Sequence, residues 1–356
     1  MSDRRTALRA SAAAEPDGPA VSTTMGATRN GRPLPEARPA PPRTADDLRE
    51  QVGVCQWFHF EDHHAVDRSI GLMHELGAKH LRTGISWADY LRPGGKRWYD
   101  WQMGRLRQSG LEVLLSVWHT PPSLAEDGAC SGPPRRLHDY ADFIDTVITD
   151  YGDAFHHLEL WNEPNNRYKW NFPERDPWWA KFAEMVGAAA HWAKRRGCHT
   201  VLGGMIPADP HWLDLMNWYG VLTHIDVIAV HGFPGMWFPD HPNWDWHRDW
   251  HGWADRLAGI TAHGGGRPVW VTETGVATWD FALAREAKYE LQCWAIDEVC
   301  AAPPGRYYLY SLVDLDPERD AIEGFHVDEN EYHMGLVKHD GFRKHAFDLL
   351  KGRLTR

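Results

Sequence analysis

The stretch HHLELWNEPNNRYKWNFPERDPWWAKFAEMVGAAAHWAKRRGCHTVLGGMI (156–206) decides the fold. It opens on a short apolar run, HHLELWNEP (156–164), passes into a long amphipathic helix predicted over 178–196, and closes on HTVLGGMI (199–206), a β-rich run. A strand, a helix and a second strand in that order form a crossover unit, and such units build parallel sheets.

The same rhythm continues in both directions. Upstream, VGVCQWFHF (52–60), HLRTGIS (80–86) and EVLLSVWH (112–119) read as strands, with helices over 64–77, near 100–110 and over 137–152. Downstream, the helix HWLDLMNWYG (211–220) precedes DVIAVHGFP (226–234), and a helix lies within 247–263. PVWVTETG (268–275), a helix over 284–302, RYYLYSLVDL (306–315) and a closing helix near 344–353 complete the series. Eight strand–helix units across about 300 residues fit an α/β chain folded as one (β/α)8 TIM barrel. An open doubly wound sheet competes, but no GxGxxG opens the first helix.

The first 47 residues are rich in Ala, Arg, Pro, Ser and Thr and carry no hydrophobic period, which predicts a disordered tail with Met25 as an alternative start. Ala7 to Ala14 is brief and broken by Arg9, unlike a secretory h-region. Residues 48–356 are expected to form a single catalytic domain.

The 38 basic and 49 acidic residues leave a formal charge of −11, which disfavours a nucleic-acid partner. No apolar run approaches the ~20 residues a membrane span requires. Five cysteines (55, 130, 198, 293 and 300) form no CxxC, so reduced thiols in a cytoplasmic setting are expected. The 20 tryptophans outnumber the 12 Phe and 11 Tyr. Trp170, Trp237, Trp244, Trp246, Trp250 and Trp253 fall in or beside predicted loops, where flat rings can stack on sugar faces.

Barrel enzymes carry their sites where strands end and βα loops begin. Arg82 lies in the second strand, and His119 ends the third. Asn162 and Glu163 end the fourth, His231 lies near the end of the sixth, and Glu273 near the end of the seventh. By period-2 alternation Glu159, Trp161 and Glu163 share one face, as do Val269, Val271 and Glu273. Both terminal glutamates can therefore face the barrel mouth. Parity places Asn162 opposite, so it reaches the site only if the strand end twists or bulges.

Paired carboxylates are what glycosidic hydrolysis needs: one protonated to release the leaving oxygen, one ionised to meet the oxocarbenium charge. At ~5.5 Å and an effective dielectric of ~20, two carboxylates repel by roughly 3 kcal/mol, about two pKa units, so one of the pair keeps its proton near neutrality. Singly, a strand-end glutamate is more often a salt-bridge partner. Together, in NEP and TETG contexts on the fourth and seventh strands, the two point to catalysis.

WNEP after the fourth strand and the glutamate ending the seventh resemble glycoside hydrolase clan A, the retaining 4/7 barrels. Within it, residues 52–353 are most similar to the β-xylosidase/iduronidase-like family 39. The resemblance implies Glu163 as acid/base, Glu273 as nucleophile, Asn162 on the sugar 2-hydroxyl, and Arg82 near the nucleophile. It also implies His119 lining the first subsite. Two departures stand out. VHGFPG offers His231 and Phe233 where many members carry a tyrosine, and YLYSLVDL offers Tyr310 where a tryptophan often ends the eighth strand.

These residues predict a retaining O-glycosidase, acting from the chain end on a β-glycoside such as a xyloside, with a carbohydrate or glycoconjugate substrate and no metal or organic cofactor. Loops after strands 3, 4, 6 and 8 would wall the cleft. A catalytically silent sugar-binding barrel is the alternative. A metal-dependent amidohydrolase ranks lower: HFEDHH (59–64) ends the first strand, but TVLGGMI supplies no histidine at the end of the fifth. Glu61 or Asp62 can instead bond sugar hydroxyls or sit in a solvated loop. Arg82 is left open between a site role and a barrel-floor pair with Glu159.

Overall fold

The computed structural model describes residues 28–29, 32–33, 43–233, 236, 253–320 and 328–355. Met1–Pro42 is the first of two units, and within it the antiparallel pair Thr28–Arg29 with Arg32–Pro33 is described. Arg43–Arg356 is the second unit. Its first helix, α1 (Ala45–Gln51), crosses the boundary expected after residue 47, because Thr44 and Asp47 cap each other's backbone in a capping box.

Eight strands close into one parallel barrel. They are β1 (Val52–Cys55), β2 (His80–Ser86), β3 (Glu112–Trp118), β4 (His157–Leu160), β5 (His199–Met205), β6 (Val227–His231), β7 (Val269–Thr274) and β8 (Tyr307–Tyr310), with β8 pairing β1 to complete the ring. The surrounding helices are α2 (His63–Leu76), α3 (Gly95–Ser109), α4 (His138–Tyr151), α5 (Ala180–Arg195), α6 (Pro210–Trp218), α7 (Trp253–His263), α8 (Tyr289–Ala301) and α9 (His345–Thr355). The barrel predicted from the sequence is the one observed.

Local chemistry explains the elements. Asp62 caps α2 by accepting from the Ala65 N–H, and Gly77 at φ 72° ends it in the left-handed conformation that glycine adopts without strain. Val66, Ile70, Met73 and Leu76 give α2 its buried stripe. Along α4, Tyr140, Ile144, Val147 and Tyr151 do the same. The predicted helix start at 284 is displaced: Arg285–Glu286 pair with Trp279–Asp280 as a small hairpin, and α8 begins at Tyr289.

The inner layer holds Arg82, Ser116 and Glu159, all fully buried. Gly84 belongs to this layer because a Cβ there would stand 2.3 Å from the Trp57 ring, so only hydrogen lets that indole lie against β2.

The pairing slips at three neighbouring places. Leu202 and Met205 on β5 face Ile228 and Val230 on β6, so β5 carries an extra residue. Val230 and His231 on β6 face Val271 and Glu273, so Thr272 is extra on β7. The β7–β8 ladder shifts over the same segment. Bulges of this kind re-aim side chains beside sites.

Candidate active site

Four strand ends bring the carboxylates together. β4 stops at Leu160, and Trp161 and Glu163 then take positive φ values of 74° and 45°. Left-handed backbone at a non-glycine residue costs about 1–3 kcal/mol, so packing must enforce it. This turn corrects the alternation expected along 159–163. Glu159 points into the barrel, while the Trp161 ring lies edge-on against Tyr140 of α4 and against Trp170. Asn162 swings inward instead, and its Oδ1 accepts from Arg82 Nη2 at 2.8 Å. The break in the strand supplies the twist that parity demanded.

Arg82 contacts both Glu159 and Glu273, the two partners the sequence left open. Its Nε donates to Glu159 Oε2 at 2.6 Å, and its Nη1 donates to Glu273 Oε1 at 2.5 Å. Burial alone would strip a guanidinium of its charge, but Glu159 and Glu273 outweigh it and hold Arg82 protonated well above the ordinary arginine range. Trp57 Nε1 also donates to Glu273 Oε1, at 3.3 Å, and the Arg82 guanidinium lies over the same indole at 4.9 Å. Cys55 sits below, its sulfur 3.9 Å from that oxygen, and burial pushes its thiol well up.

His231 stands between the two glutamates. Its Nδ1 lies 2.9 Å from Glu163 Oε1 and 3.6 Å from Glu273 Oε2, and its Nε2 lies 3.1 Å from Thr272 Oγ1. One ligating atom from each of Glu163, His231 and Glu273 falls within 4.8 Å of the others. The positive charge such a cluster calls for is already supplied to Glu273 by Arg82. Burial lowers His231 to about 4, with Arg82 adding to the shift against the opposing pull of Glu273, so the ring is neutral at pH 7. Gly204 on β5 makes room for it, since a Cβ there would sit 2.1 Å from Nε2. On its other side Glu163 Oε2 accepts from Asn166 Nδ2 at 3.0 Å.

The remaining expected site residues lie at the rim. His119 follows the end of β3 at φ 66°, its ring 3.5 Å from that of Trp118, which in turn stands 5.6 Å from Trp57. Tyr310 ends β8 and is buried, its ring perpendicular to Phe233 at 6.2 Å.

Thr272, Trp57, Asn166 and Gly204 escaped the sequence reading. Strand alternation hid Thr272, because an unbroken β7 would turn it toward the helices. Trp57 and Asn166 lie in loops with no periodic signal. The Gly203–Gly204 pair was the one visible sign, since glycines inside a strand mark bulges and close approach.

Other expectations are redirected. Trp170, read as a loop ring, is fully buried, and its N–H donates to Asp176 at 3.2 Å. Trp237, Trp244, Trp246 and Trp250 lie outside the described residues, as does the side chain of Trp253. In HFEDHH, Asp62 caps α2, Glu61 pairs with Arg97, and His63 packs edge-on against Trp101. The loops after β3 and β4 are tied together by the Asn171 N–H donating to Ser131 O. No helix among the described residues is long and apolar enough to cross a membrane.

Comparison with known proteins agrees with this geometry. Residues 54–175, which run from β1 past the end of β4, match the model of glycosyl hydrolase family 1. The aryl-phospho-beta-D-glucosidase BglA of Bacillus subtilis is 25% identical over 166 residues, 44% of this chain and 33% of that protein. The chain thus spans a third or less of the curated relatives it matches first. Among solved structures, the GH39 enzyme of Xanthomonas axonopodis pv. citri superimposes with a TM-score of 0.61 at 15% identity, covering 86% of this chain and 66% of that one. The family 1 b-glucosidase of Thermotoga maritima gives 0.61 at 13% identity, covering 85% and 96%. The fold is the barrel of these glycoside hydrolases, and residues 54–175 carry the sequence pattern of family 1.

Proposed function

We propose that this chain is a retaining O-glycoside hydrolase acting on a β-linked glycoside. One observation carries the reading: Glu163 and Glu273 converge within 4.8 Å from opposite arcs of the barrel, with His231 between them. Nearest oxygens this close favour the retaining separation of ~5–5.5 Å between carboxyl groups over the ~6.5–9.5 Å of inverting enzymes.

The donors divide the roles. Arg82 and Trp57 both donate to Glu273 Oε1, marking it as the carboxylate of the pair. Glu273 attacks the anomeric carbon as Glu163 gives its proton to the departing oxygen, forming a glycosyl ester and a free alcohol. Glu163 then takes a proton from water, whose hydroxyl displaces Glu273 and restores both groups. Asn162, held by Arg82, is placed to meet the 2-hydroxyl.

The family 1 match and the β-glucosidase relatives favour a β-glucoside, while the sequence motifs resembling family 39 favour a xyloside. The tie between the loops after β3 and β4 suits action at a chain end. Aryl β-glucosides and β-xylosides, with 6-phospho forms beside them, are the substrates to screen. Glu273→Ala should abolish turnover, and azide should restore it with release of the inverted glycosyl azide. Hydrolysis persisting in that variant without azide would overturn the assignment.

A further inference from the structure

Behind the two glutamates runs a buried chain of polar groups that the hydrolytic steps do not themselves use. Glu159, fully buried on β4, accepts from Arg82 Nε through Oε2. Its Oε1 accepts from the Gly204 N–H at 3.0 Å and from the Thr272 hydroxyl at 3.3 Å. Thr272 Oγ1 also lies 3.1 Å from His231 Nε2, and His231 Nδ1 lies 2.9 Å from Glu163 Oε1. Thr272 and His231 are both completely buried.

A threonine hydroxyl has one hydrogen and two lone pairs, and a neutral imidazole has one N–H and one lone pair. The hydroxyl must choose between a carboxylate and a neutral nitrogen, and the bond to the charged acceptor is roughly twice as strong. With its hydrogen on Glu159, Thr272 can only accept from the ring. His231 then carries its hydrogen on Nε2, and Nδ1 is left as an acceptor. The atom facing Nδ1 is Glu163 Oε1, and the other oxygen of Glu163 is already accepting from Asn166.

We infer that Glu159, acting through Thr272, fixes His231 as the Nε2–H tautomer, so that Nδ1 accepts the proton carried by Glu163 Oε1. Glu159 and Thr272 are positioning residues: they touch no reacting atom and set the direction of the hydrogen bond on the acid. A bond accepted from the neutral carboxyl stabilises the protonated form, which the first catalytic step needs. The reversed chain, with Nδ1–H donating to Glu163, would favour the spent form. Other titratable or charged groups facing this site are Glu273 and Arg82, with Lys169 acting on His231 from the loop after β4, and the neutral Cys55 thiol beneath Glu273. Thr272 is the bulged residue of β7, so the bulge itself delivers the hydroxyl to the chain.

This inference rests on the glycosidase reading for its consequence but not for its geometry, so two measurements separate them. Long-range 15N–1H spectra of histidine-labelled protein, with His231 assigned by its loss in His231→Asn, should give an unprotonated Nδ1 and a protonated Nε2 at pH 7. A protonated Nδ1 overturns the proposal and leaves the glycosidase reading intact. In Thr272→Val, which keeps shape and removes the hydroxyl, His231 should shift toward Nδ1–H. The basic limb of kcat/KM for an alkyl glycoside should move down by about one pH unit, a tenfold loss above the limb. Thr272→Ser should restore both. A Thr272→Val protein that folds with an unchanged tautomer and an unchanged limb refutes the proposal. A correct tautomer in a protein that cleaves no glycoside upholds the wiring and retires the catalytic reading.

Discussion

Replacing Arg82 by methionine removes one charge and strands two. The guanidinium donates to Glu159 at 2.6 Å, to Glu273 at 2.5 Å and to Asn162 at 2.8 Å, all below the barrel mouth. Each ion pair, with charges ~4 Å apart at an effective dielectric of ~20, is worth roughly 4 kcal/mol before desolvation. Desolvation of the guanidinium offsets much of that, and losing one partner of a buried pair costs about 3–5 kcal/mol net, because the other charge remains. Arg82→Met should therefore lower the unfolding free energy by about 3–5 kcal/mol at pH 7. The diagnostic variant is the double one. Glu159→Gln alone should destabilise, but added to Arg82→Met it should recover about 2 kcal/mol, since one of the two stranded charges disappears. Urea unfolding followed by tryptophan fluorescence reads all four corners of the cycle, provided the slope with denaturant stays constant. A loss below about 1 kcal/mol for Arg82→Met, or losses that simply add in the double variant, would refute the view of Arg82 as the shared counter-ion.

Further outcomes are expected. Gly204→Ala places a methyl 2.1 Å from His231 Nε2, so the ring must move; overpacking of this kind costs about 1–3 kcal/mol and should reduce kcat far more than KM, whereas a variant with parental kcat would show the ring free to shift. His231 and His80 are both buried and both held at about 4, against 6.5 for a free histidine. Each folded-state value is depressed, so their contribution to stability is complete above pH 6.5 and fades as pH falls toward 4, up to about 3 kcal/mol per histidine. Thermal unfolding scanned from pH 7 to pH 4 should show a steep fall that softens in His231→Asn; a flat profile would contradict it. Trp170→Ala should cost about 3–5 kcal/mol as a core truncation and leave the inhibition constant of a simple sugar unchanged, while weaker sugar binding in a folded variant would return that ring to the site.

The order of elements was written in the sequence. Strand and helix periods are local, and eight alternations of them leave few topologies, so the barrel and the strand-end positions of Glu163 and Glu273 were legible without coordinates. The candidate pair was picked out as the glutamates closing two short apolar runs, on the fourth and seventh strands. What the tertiary structure decided is how those runs end. Parity assumes an unbroken ladder, and the ladder breaks at β4, where Trp161 and Glu163 turn left-handed, and at β7, where Thr272 bulges. Both breaks are set by neighbours: Trp161 by Tyr140 and Trp170, Thr272 by the register of β6 and β8. That is why Asn162 swung inward, Trp161 swung out and Thr272 joined the site. A residue's period can be counted along one chain, but a bulge exists only between two strands.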